Sequence, residues 1–310
     1  MRYVAGWDGG GTKTAVQYMD LNGNWIGRAA FGPLNLNGSS KELVRNTVRE
    51  ALAHMAGMPE GLSSCAYLLI GTAGMSNPAA RTLLCDTLRE EGYTGAYQMV
   101  GDHETMLYGA VGGFGAVLVS GTGSVALGRN SLGETCRCGG WGNKIDDEGS
   151  GYAIGRDILT ALVRSHDGRG PATCLTSQVY EALEIASPEE LIRFVYDPAT
   201  DKARIAALAP LLIPALEQQD TAAGAIAVKA ASELVLLART VIDRLGLEAG
   251  EIALSGSILS QFEDIRQKVE AGLAEQYPGL QVIKPRQDAA MGAALMALEA
   301  ARSRTVVARG

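Results

Sequence analysis

Near its start, the chain carries a glycine-rich polar segment that could hold a phosphate group: Asp8-Gly9-Gly10-Gly11-Thr12-Lys13. Successive glycines let backbone amides come close to an anion and point toward it. Thr12 and Lys13 add a hydroxyl and a cation suited to phosphate oxygens, and Asp8 is the residue type that holds Mg²⁺ directly or through water. The alternative is a glycine-rich hairpin without a ligand. Such a hairpin does not need three glycines, so the segment favours phosphate binding.

A second turn of similar composition, Ser120-Gly121-Thr122-Gly123-Ser124, also lies between two predicted strands. Turns of this kind are common, and only its correspondence with the first turn gives it weight. Two such turns in equivalent places predict that a nucleoside triphosphate is held from both sides. Neither turn fits G-x-x-x-x-G-K-[ST], and the spaced glycines 149, 151 and 155 follow no predicted strand, which excludes the P-loop and Rossmann classes.

Asp102 is the candidate general base, because it directly follows the predicted strand 97–100 and precedes a helix. Ligands reach an open α/β sheet at the carboxyl ends of its strands. A carboxylate there can accept the proton of an attacking hydroxyl. The alternative, equally common for such an aspartate, is a helix N-cap.

Two further segments predict ligand contacts. Residues 139–151 combine five glycines, Trp141 and the acidic run Asp146-Asp147-Glu148, which is typical of a loop that presents backbone amides and acceptors to a polar ligand. The alternative is a solvated acidic turn. Leu254-Ser255-Gly256-Ser257 would let an adenine or ribose lie against the backbone, or it is simply a strand–turn–helix joint capped by Ser257.

The predicted elements that position these segments follow the same order of strands and helices in both halves of the chain. Each half begins with three strands and continues with alternating helices and strands, which predicts an α/β protein with mixed sheets covered on both faces. The glycines at 112–115 mark the boundary. We expect a first domain at residues 1–113 and a larger second domain at 114–310, with a helical insertion at about 152–245.

Composition narrows the function further. The 310 residues contain 27 Lys and Arg against 34 Asp and Glu, so the net charge of −7 argues against a general nucleic-acid or anionic-membrane binder. Neither an 18-residue uncharged apolar stretch nor a signal-peptide core is present. The five cysteines are irregularly spaced, as in a cytoplasmic protein with reduced thiols, and the three histidines show no metal-ligand spacing.

Five motifs occur in order along the chain and together carry a resemblance. They are Asp8-Gly9-Gly10-Gly11-Thr12-Lys13-Thr14, Gly71-Thr72-Ala73-Gly74, Ser120-Gly121-Thr122-Gly123-Ser124, Gly139-Gly140-Trp141-Gly142 with Asp147-Glu148-Gly149-Ser150, and Leu254-Ser255-Gly256-Ser257. From residue 3 to about 298, the chain resembles the N-acetylglucosamine kinase branch of the sugar kinase–Hsp70–actin superfamily. It is also similar to the related BadF/BadG-type ATPases.

The resemblance implies two ribonuclease-H-like (actin-like ATPase) domains, with ATP and a sugar in an interdomain cleft. It implies Mg²⁺- and ATP-dependent phosphorylation of the 6-hydroxyl of N-acetylglucosamine, with Asp102 as general base and Asp8 near the metal. The implied ATP contacts are Gly10, Gly11, Thr12, Lys13, Gly121, Thr122, Gly123, Gly256 and Ser257. The implied sugar contacts are Asn35, Asp102, Gly140, Trp141, Gly142 and Asp147.

Several alternatives remain open. The sugar could be glucosamine or N-acetylmuramic acid. The chain could instead be an ATPase that activates a partner reductase, for which Cys136-x-Cys138 is the one hint, or a non-catalytic sugar-binding regulator. Retention of Asp8, Thr12, Asp102 and Thr122 favours the kinase. The expected partners are a small sugar and ATP, without nucleic acid or membrane, and a homodimer is left open.

Overall fold

Strands and helices alternate in two similar sets along residues 1–36, 38–75 and 77–307, which are the residues that the computed structural model describes. The strands are β1 (Tyr3–Gly9), β2 (Thr14–Asp20), β3 (Trp25–Phe31), β4 (Cys65–Thr72), β5 (Tyr97–Val100), β6 (Gly115–Ser120), β7 (Ser124–Arg129), β8 (Thr135–Gly139), β9 (Glu251–Ser255) and β10 (Gln281–Ile283). The helices are α1 (Lys41–Gly57), α2 (Pro78–Glu90), α3 (Asp102–Val111), α4 (Gly151–His166), α5 (Leu175–Leu183), α6 (Pro188–Tyr196), α7 (Lys202–Ala206), α8 (Leu212–Glu217), α9 (Thr221–Leu245), α10 (Ser257–Gln261), α11 (Glu263–Gln276) and α12 (Ala289–Val307), with short 3₁₀ turns at Leu62–Ser64 and Ala209–Leu211. Among the described helices, none is long and apolar enough to cross a bilayer.

The chain divides into two compact units. Unit 1 comprises Met1–Phe114 and Pro285–Gly310, and unit 2 comprises Gly115–Lys284. The sheet of unit 1 has the order β3-β2-β1-β4-β5, and that of unit 2 has the order β8-β7-β6-β9-β10. In each, the first strand pairs antiparallel with the second and parallel with the fourth. The predicted α/β class with two ribonuclease-H-like domains is confirmed.

Unit 1 buries both faces of its sheet. Alternate residues of β1 point to opposite sides, as a strand requires. Tyr3 and Trp7 enter a core with α1 and α2, whereas Val4 enters a second core with the alanines of α12. In unit 2, α4 to α9 lie between β8 and β9 in sequence, and one large core joins the sheet to α4 and α9.

The last helix belongs to unit 1, whereas the sequence-based boundary had assigned residues 285–310 to the second domain. The physical reason is close packing between small residues. A Cβ atom placed on Gly6 of β1 would lie 2.0 Å from the backbone nitrogen of Ala294, and one placed on Gly292 would lie 2.1 Å from the carbonyl oxygen of Thr105 in α3. Only glycine at these positions lets the backbones approach so closely.

Substituting Gly6→Ala should therefore destabilise unit 1. The added methyl group has no free space and must displace backbone, so we expect the free energy of unfolding to fall by about 1–3 kcal/mol or more. Gly27→Ala on β3 is the matched control, because a Cβ atom there meets no atom within 4 Å. Urea unfolding followed by circular dichroism measures both. Equal stabilities of the two variants would contradict the packing argument.

Candidate functional site

The β1–β2 turn of unit 1 is fixed through its backbone. The Gly10 N–H donates to the Lys13 carbonyl at 2.9 Å. The Gly10 carbonyl accepts the N–H groups of Leu34 and Asn35 at 3.1 and 3.3 Å. Asn35, a predicted sugar contact, is therefore held beside the predicted phosphate-binding turn.

Neither backbone conformation nor packing explains why residue 11 of this turn is a glycine. Its backbone is not in the left-handed region, and a Cβ atom there would meet nothing within 4 Å. Gly9 differs, because a Cβ atom there would lie 2.7 Å from the Leu34 side chain. Gly11, Thr12 and Lys13 are all exposed. The missing side chain at position 11 thus leaves space in front of exposed amide, hydroxyl and ammonium groups, which suits a phosphate.

Two other carboxylates act on Asp8 at the edge of this turn. Burial, followed by the negative charges of Asp102 and Asp288, raises the pKa of Asp8 from 3.8 to about 6, and Lys13 opposes the shift. Asp288 also accepts the Met291 N–H at 2.8 Å, as a residue that caps α12 does. Sequence reasoning missed Asp288, although an aspartate just before an alanine-rich helix is a recognisable capping signal.

Asp102 is not the cap of its helix, so the simpler explanation for this aspartate does not apply. Gly101 precedes α3, and its N–H donates to the Glu104 carboxylate at 3.1 Å, which is the capping contact. The Asp102 carboxylate accepts the His103 N–H at 3.0 Å, and its side chain is 43% exposed. The His103 ring nitrogen lies 3.8 Å from the same carboxylate, and the exposed part of the carboxylate is accessible to a hydroxyl group.

These carboxylates fit a magnesium ion that keeps most of its water. In the described part of the chain, no three histidine, cysteine or acidic side chains are arranged to chelate a metal directly. Mg²⁺ commonly binds through one or two carboxylates, waters and substrate phosphates. Asp8, whose ionised form is disfavoured by neighbouring negative charge, would gain from such a cation.

In unit 2, the β6–β7 turn is bonded to the start of α4. The Gly121 carbonyl accepts the Gly151 N–H at 2.7 Å. The hydroxyls of Ser120 and Ser124 donate to the carbonyls of Gly149 and Glu148 at 2.8 and 2.7 Å. The predicted phosphate turn and the acidic glycine-rich segment therefore form a single structure.

Asp147 combines strain with burial at this junction. Its φ of 64° lies in the left-handed region, and the residue is only 4% exposed. No hydrogen bond from the described residues reaches its carboxylate, which lies against Gly123, 3.0 Å from where a Cβ atom would stand. Backbone strain of this kind costs about 1–3 kcal/mol and concentrates at functional sites. A polar ligand would supply the missing partner.

A cavity of about 210 Å³ lies beside the same turn and fits the predicted adenosine site. Gly121, Thr122 and Ser257 line it. The rest of its wall is Gly151, Ala203, Ala206, Ala207, Ala209, Pro210, Ile258, Gln261 and Phe262. Ser257 is the first residue of α10 and makes no capping hydrogen bond. The small side chains and the apolar wall leave room for a flat aromatic group.

Gly256 brings the β9–α10 joint against β6. Its φ is 95°, and a Cβ atom would lie 2.2 Å from the Ser120 carbonyl oxygen, so only glycine fits. The predicted nucleotide residues of unit 2 thus lie together at the ends of β6 and β9.

Trp141 is presented to the outside by the glycine-rich segment. The residue is 70% exposed, its backbone N–H donates to the Asp146 carboxylate at 3.2 Å, and the Arg137 guanidinium lies 5.3 Å from the centre of its ring. Gly140 and Gly142 flank it in sequence. Of the predicted sugar contacts, unit 1 carries Asn35 and Asp102, and unit 2 carries Gly140, Trp141, Gly142 and Asp147.

The family model of the BadF/BadG/BcrA/BcrD ATPase family matches residues 5–297. The chain belongs to this family. It is similar to an N-acetylmuramic acid/N-acetylglucosamine kinase of Clostridium acetobutylicum, with 33% identity over 96% of this chain and 98% of the relative. It is also similar to an N-acetyl-D-glucosamine kinase of Dictyostelium discoideum, with 30% identity over 94% and 97%. A solved structure from Chromobacterium violaceum, provisionally described as an N-acetylglucosamine kinase, matches with a TM-score of 0.74 and 25% identity over 96% of this chain and 99% of that one.

Membership in this ATPase family implies the use of ATP, and the binding of ATP by the glycine turns stays a prediction. The family match spans both units and every predicted site residue. The geometry adds what the family description does not contain: Asp288 beside Asp8, and the unpaired carboxylate of Asp147.

Asp8→Asn should stabilise the protein without ligand at high pH. The unfolded chain releases this proton near pH 3.8 and the folded chain near pH 6, so the folded state loses stability as the pH rises from about 3.8 to about 6, and the loss is complete above that. We expect the variant to gain about 1–3 kcal/mol at about pH 8 and nothing at about pH 4. Urea unfolding at both pH values measures the gain. A loss of stability, or a gain of equal size at both pH values, would show that the charge is not the cause.

Proposed function

We propose that this member of the BadF/BadG/BcrA/BcrD ATPase family is a kinase that transfers the γ-phosphoryl group of ATP to the 6-hydroxyl of N-acetylglucosamine. The observation that carries the proposal is Asp102, a partly exposed carboxylate without a capping role, close enough to Asp8 to raise its pKa. The names of the two relatives at 33% and 30% identity support an amino sugar as acceptor.

In this mechanism, Asp102 orients the sugar 6-hydroxyl and accepts its proton as the oxygen attacks the γ-phosphorus. The bond between the γ-phosphorus and the β,γ-bridging oxygen breaks, ADP leaves, and Asp102 later releases the proton to water. Asp8 would hold Mg²⁺ through water, and the bound ion would neutralise phosphate charge. Gly11, Thr12 and Lys13 would donate hydrogen bonds to phosphate oxygens.

Unit 2 would hold the rest of the nucleotide and part of the sugar. The cavity beside Gly121, Thr122 and Ser257 would take the adenosine. Asp147, buried and without a hydrogen-bond partner within the described residues, would accept a sugar hydroxyl, and Trp141 would stack on the sugar. Asn35 of unit 1 would add a further contact.

A coupled ADP-release assay tests the reaction. The acceptors are N-acetylglucosamine, glucosamine, N-acetylmuramic acid, N-acetylmannosamine and glucose, each with ATP and Mg²⁺, and an excess of chelator should abolish activity. Release stimulated by N-acetylglucosamine supports the proposal. Preference for glucosamine or N-acetylmuramic acid would correct the sugar, and ATP hydrolysis independent of every sugar would favour an activator of a partner reductase.

Asp102→Asn should lower kcat by about two to four orders of magnitude, because the amide cannot accept the proton. Asp86→Asn, which removes the same charge from the exposed side of α2, should leave kcat unchanged. Steady-state kinetics and calorimetric binding of ADP measure the two effects separately. Near-normal kcat in the Asp102 variant with intact ADP binding would exclude it as general base.

Ala207→Phe should weaken ATP binding, because it places a large side chain in the 210 Å³ cavity. We expect KM for ATP to rise by about tenfold or more, in line with the loss of more than 1.4 kcal/mol, while KM for the sugar changes little. Ala199→Phe, an exposed position outside the cavity, is the control. Unchanged KM for ATP in the Ala207 variant would place the adenosine elsewhere.

A further inference from the structure

A second cavity of unit 2, of about 640 Å³, lies between α4 and the start of α9. The segment Arg169-Gly170-Pro171 also lines it. Residues in the ranges 156–164 of α4 and 221–229 of α9 supply the rest of the lining. This cavity shares no residue with the one beside Gly121. None of the predicted ATP or sugar contacts lines it.

The lining has a strong excess of positive charge. Arg156, Arg164, Arg169 and Lys229 face one acidic residue, Asp157, among the lining residues that the structure describes. The other carboxylates that pair with these cations, Glu148 and Asp167, do not line the cavity. With Glu148 and Asp167 counted beside Asp157, four cations stand against three anions, so a net positive charge remains here in a chain whose total charge is −7.

Two of the arginines can bind an anion without breaking a strong interaction. The Arg164 carbonyl accepts the N–H groups of Arg169 and Gly170, whereas its exposed guanidinium makes no hydrogen bond, ion pair or ring contact within the described residues. Arg169 pairs with Asp167, two residues away, but both side chains are largely exposed, at 61% and 45%. Exposed pairs of this kind contribute at most about 1 kcal/mol. A guanidinium group binds phosphate with two parallel hydrogen bonds, which an ammonium group cannot do.

The remaining lining residues suit the uncharged part of a ligand that also carries an anionic group. Thr160 and Thr221 offer hydroxyls, and Ala161, Pro171 and Ile226 offer apolar surface. We propose that this cavity is a second ligand site, for a small organic phosphate such as a sugar phosphate. Its volume is in the range of small-molecule sites.

The cavity also connects to the segment that carries Asp147. Arg156 binds both carboxylate oxygens of Glu148, at 2.8 and 2.9 Å. Lys229 lies 2.7 Å from Asp157 and 3.4 Å from Glu148. A phosphate that attracts Arg156 and Lys229 weakens their hold on Glu148, the neighbour of Asp147. This second step rests on the proposed function and makes the phosphate an inhibitor that raises KM for the sugar.

Isothermal titration calorimetry tests the site directly. Glucosamine 6-phosphate, adenosine monophosphate and inorganic phosphate are each titrated into protein saturated with ADP, Mg²⁺ and N-acetylglucosamine. We expect binding of glucosamine 6-phosphate that weakens by about tenfold, or 1.4 kcal/mol, in Arg164→Gln. Arg81→Gln, which removes an exposed charge from α2, should bind like the unchanged protein. If glucosamine 6-phosphate does not bind, or binds the Arg164 and Arg81 variants with equal affinity, the proposal is overturned. If adenosine monophosphate binds more tightly than glucosamine 6-phosphate, a nucleotide replaces the sugar phosphate as the ligand of this site.

Steady-state kinetics tests separately whether a phosphate in this cavity affects binding of the sugar. Glucosamine 6-phosphate should raise KM for the sugar by about threefold or more in the unchanged protein and less in Arg164→Gln. Binding without any change in KM would refute the connection while leaving the site. Absence of kinase activity with binding that depends on Arg164 would refute the proposed function and leave the site standing.

Discussion

The candidate site depends on one repeated constraint: in each unit, the carbonyl of the first turn glycine is bound by an N–H from another segment that is predicted to contact the ligand. Gly10 accepts from Leu34 and Asn35, and Gly121 accepts from Gly151 at the start of α4. A glycine-rich turn without such bonds would sample many conformations, since glycine loses the most backbone entropy on ordering. Fixing the carbonyl leaves the remaining turn amides, hydroxyls and, in unit 1, Lys13 in a defined place. The same bond also determines where the neighbouring ligand contact lies.

The negative charges around Asp8 in unit 1 destabilise the folded protein without ligand and favour the binding of a cation. Burial and the nearby charges of Asp102 and Asp288 disfavour ionised Asp8. A folded protein keeps such an arrangement when a bound cation relieves it, and perturbed carboxylates are therefore more frequent at functional sites than elsewhere. Lys13 offsets only part of the repulsion. In the proposed function, relief of this unfavourable interaction would contribute to the binding of a cation and the phosphates that accompany it.

Much of the fold could be predicted from the sequence, because its strands are short apolar runs bounded by glycine turns. The strand at 97–100 was predicted with the bounds that the structure has, Tyr97–Val100. The placement of α12 could not be predicted, since packing through Gly6 and Gly292 leaves no local signal. For the site, residue types indicated the turns, but not Asp288 or the left-handed conformation of Asp147, which depend on tertiary contacts. The roles of the individual site residues remain predictions.

The ion pairs of Glu148 explain why charged rather than apolar contacts support the backbone next to Asp147. Hydrogen bonds from Arg156 lower the pKa of Glu148, so the carboxylate stays ionised and its geometry stays fixed. An apolar contact in the same place would give equal or greater stability, but it would not specify one orientation of the backbone. Asp147 needs that orientation, because its left-handed conformation is unfavourable by itself. The charged network therefore fixes the position of the Asp147 carboxylate at some cost in stability. Any group that competes with Glu148 for Arg156 changes that position.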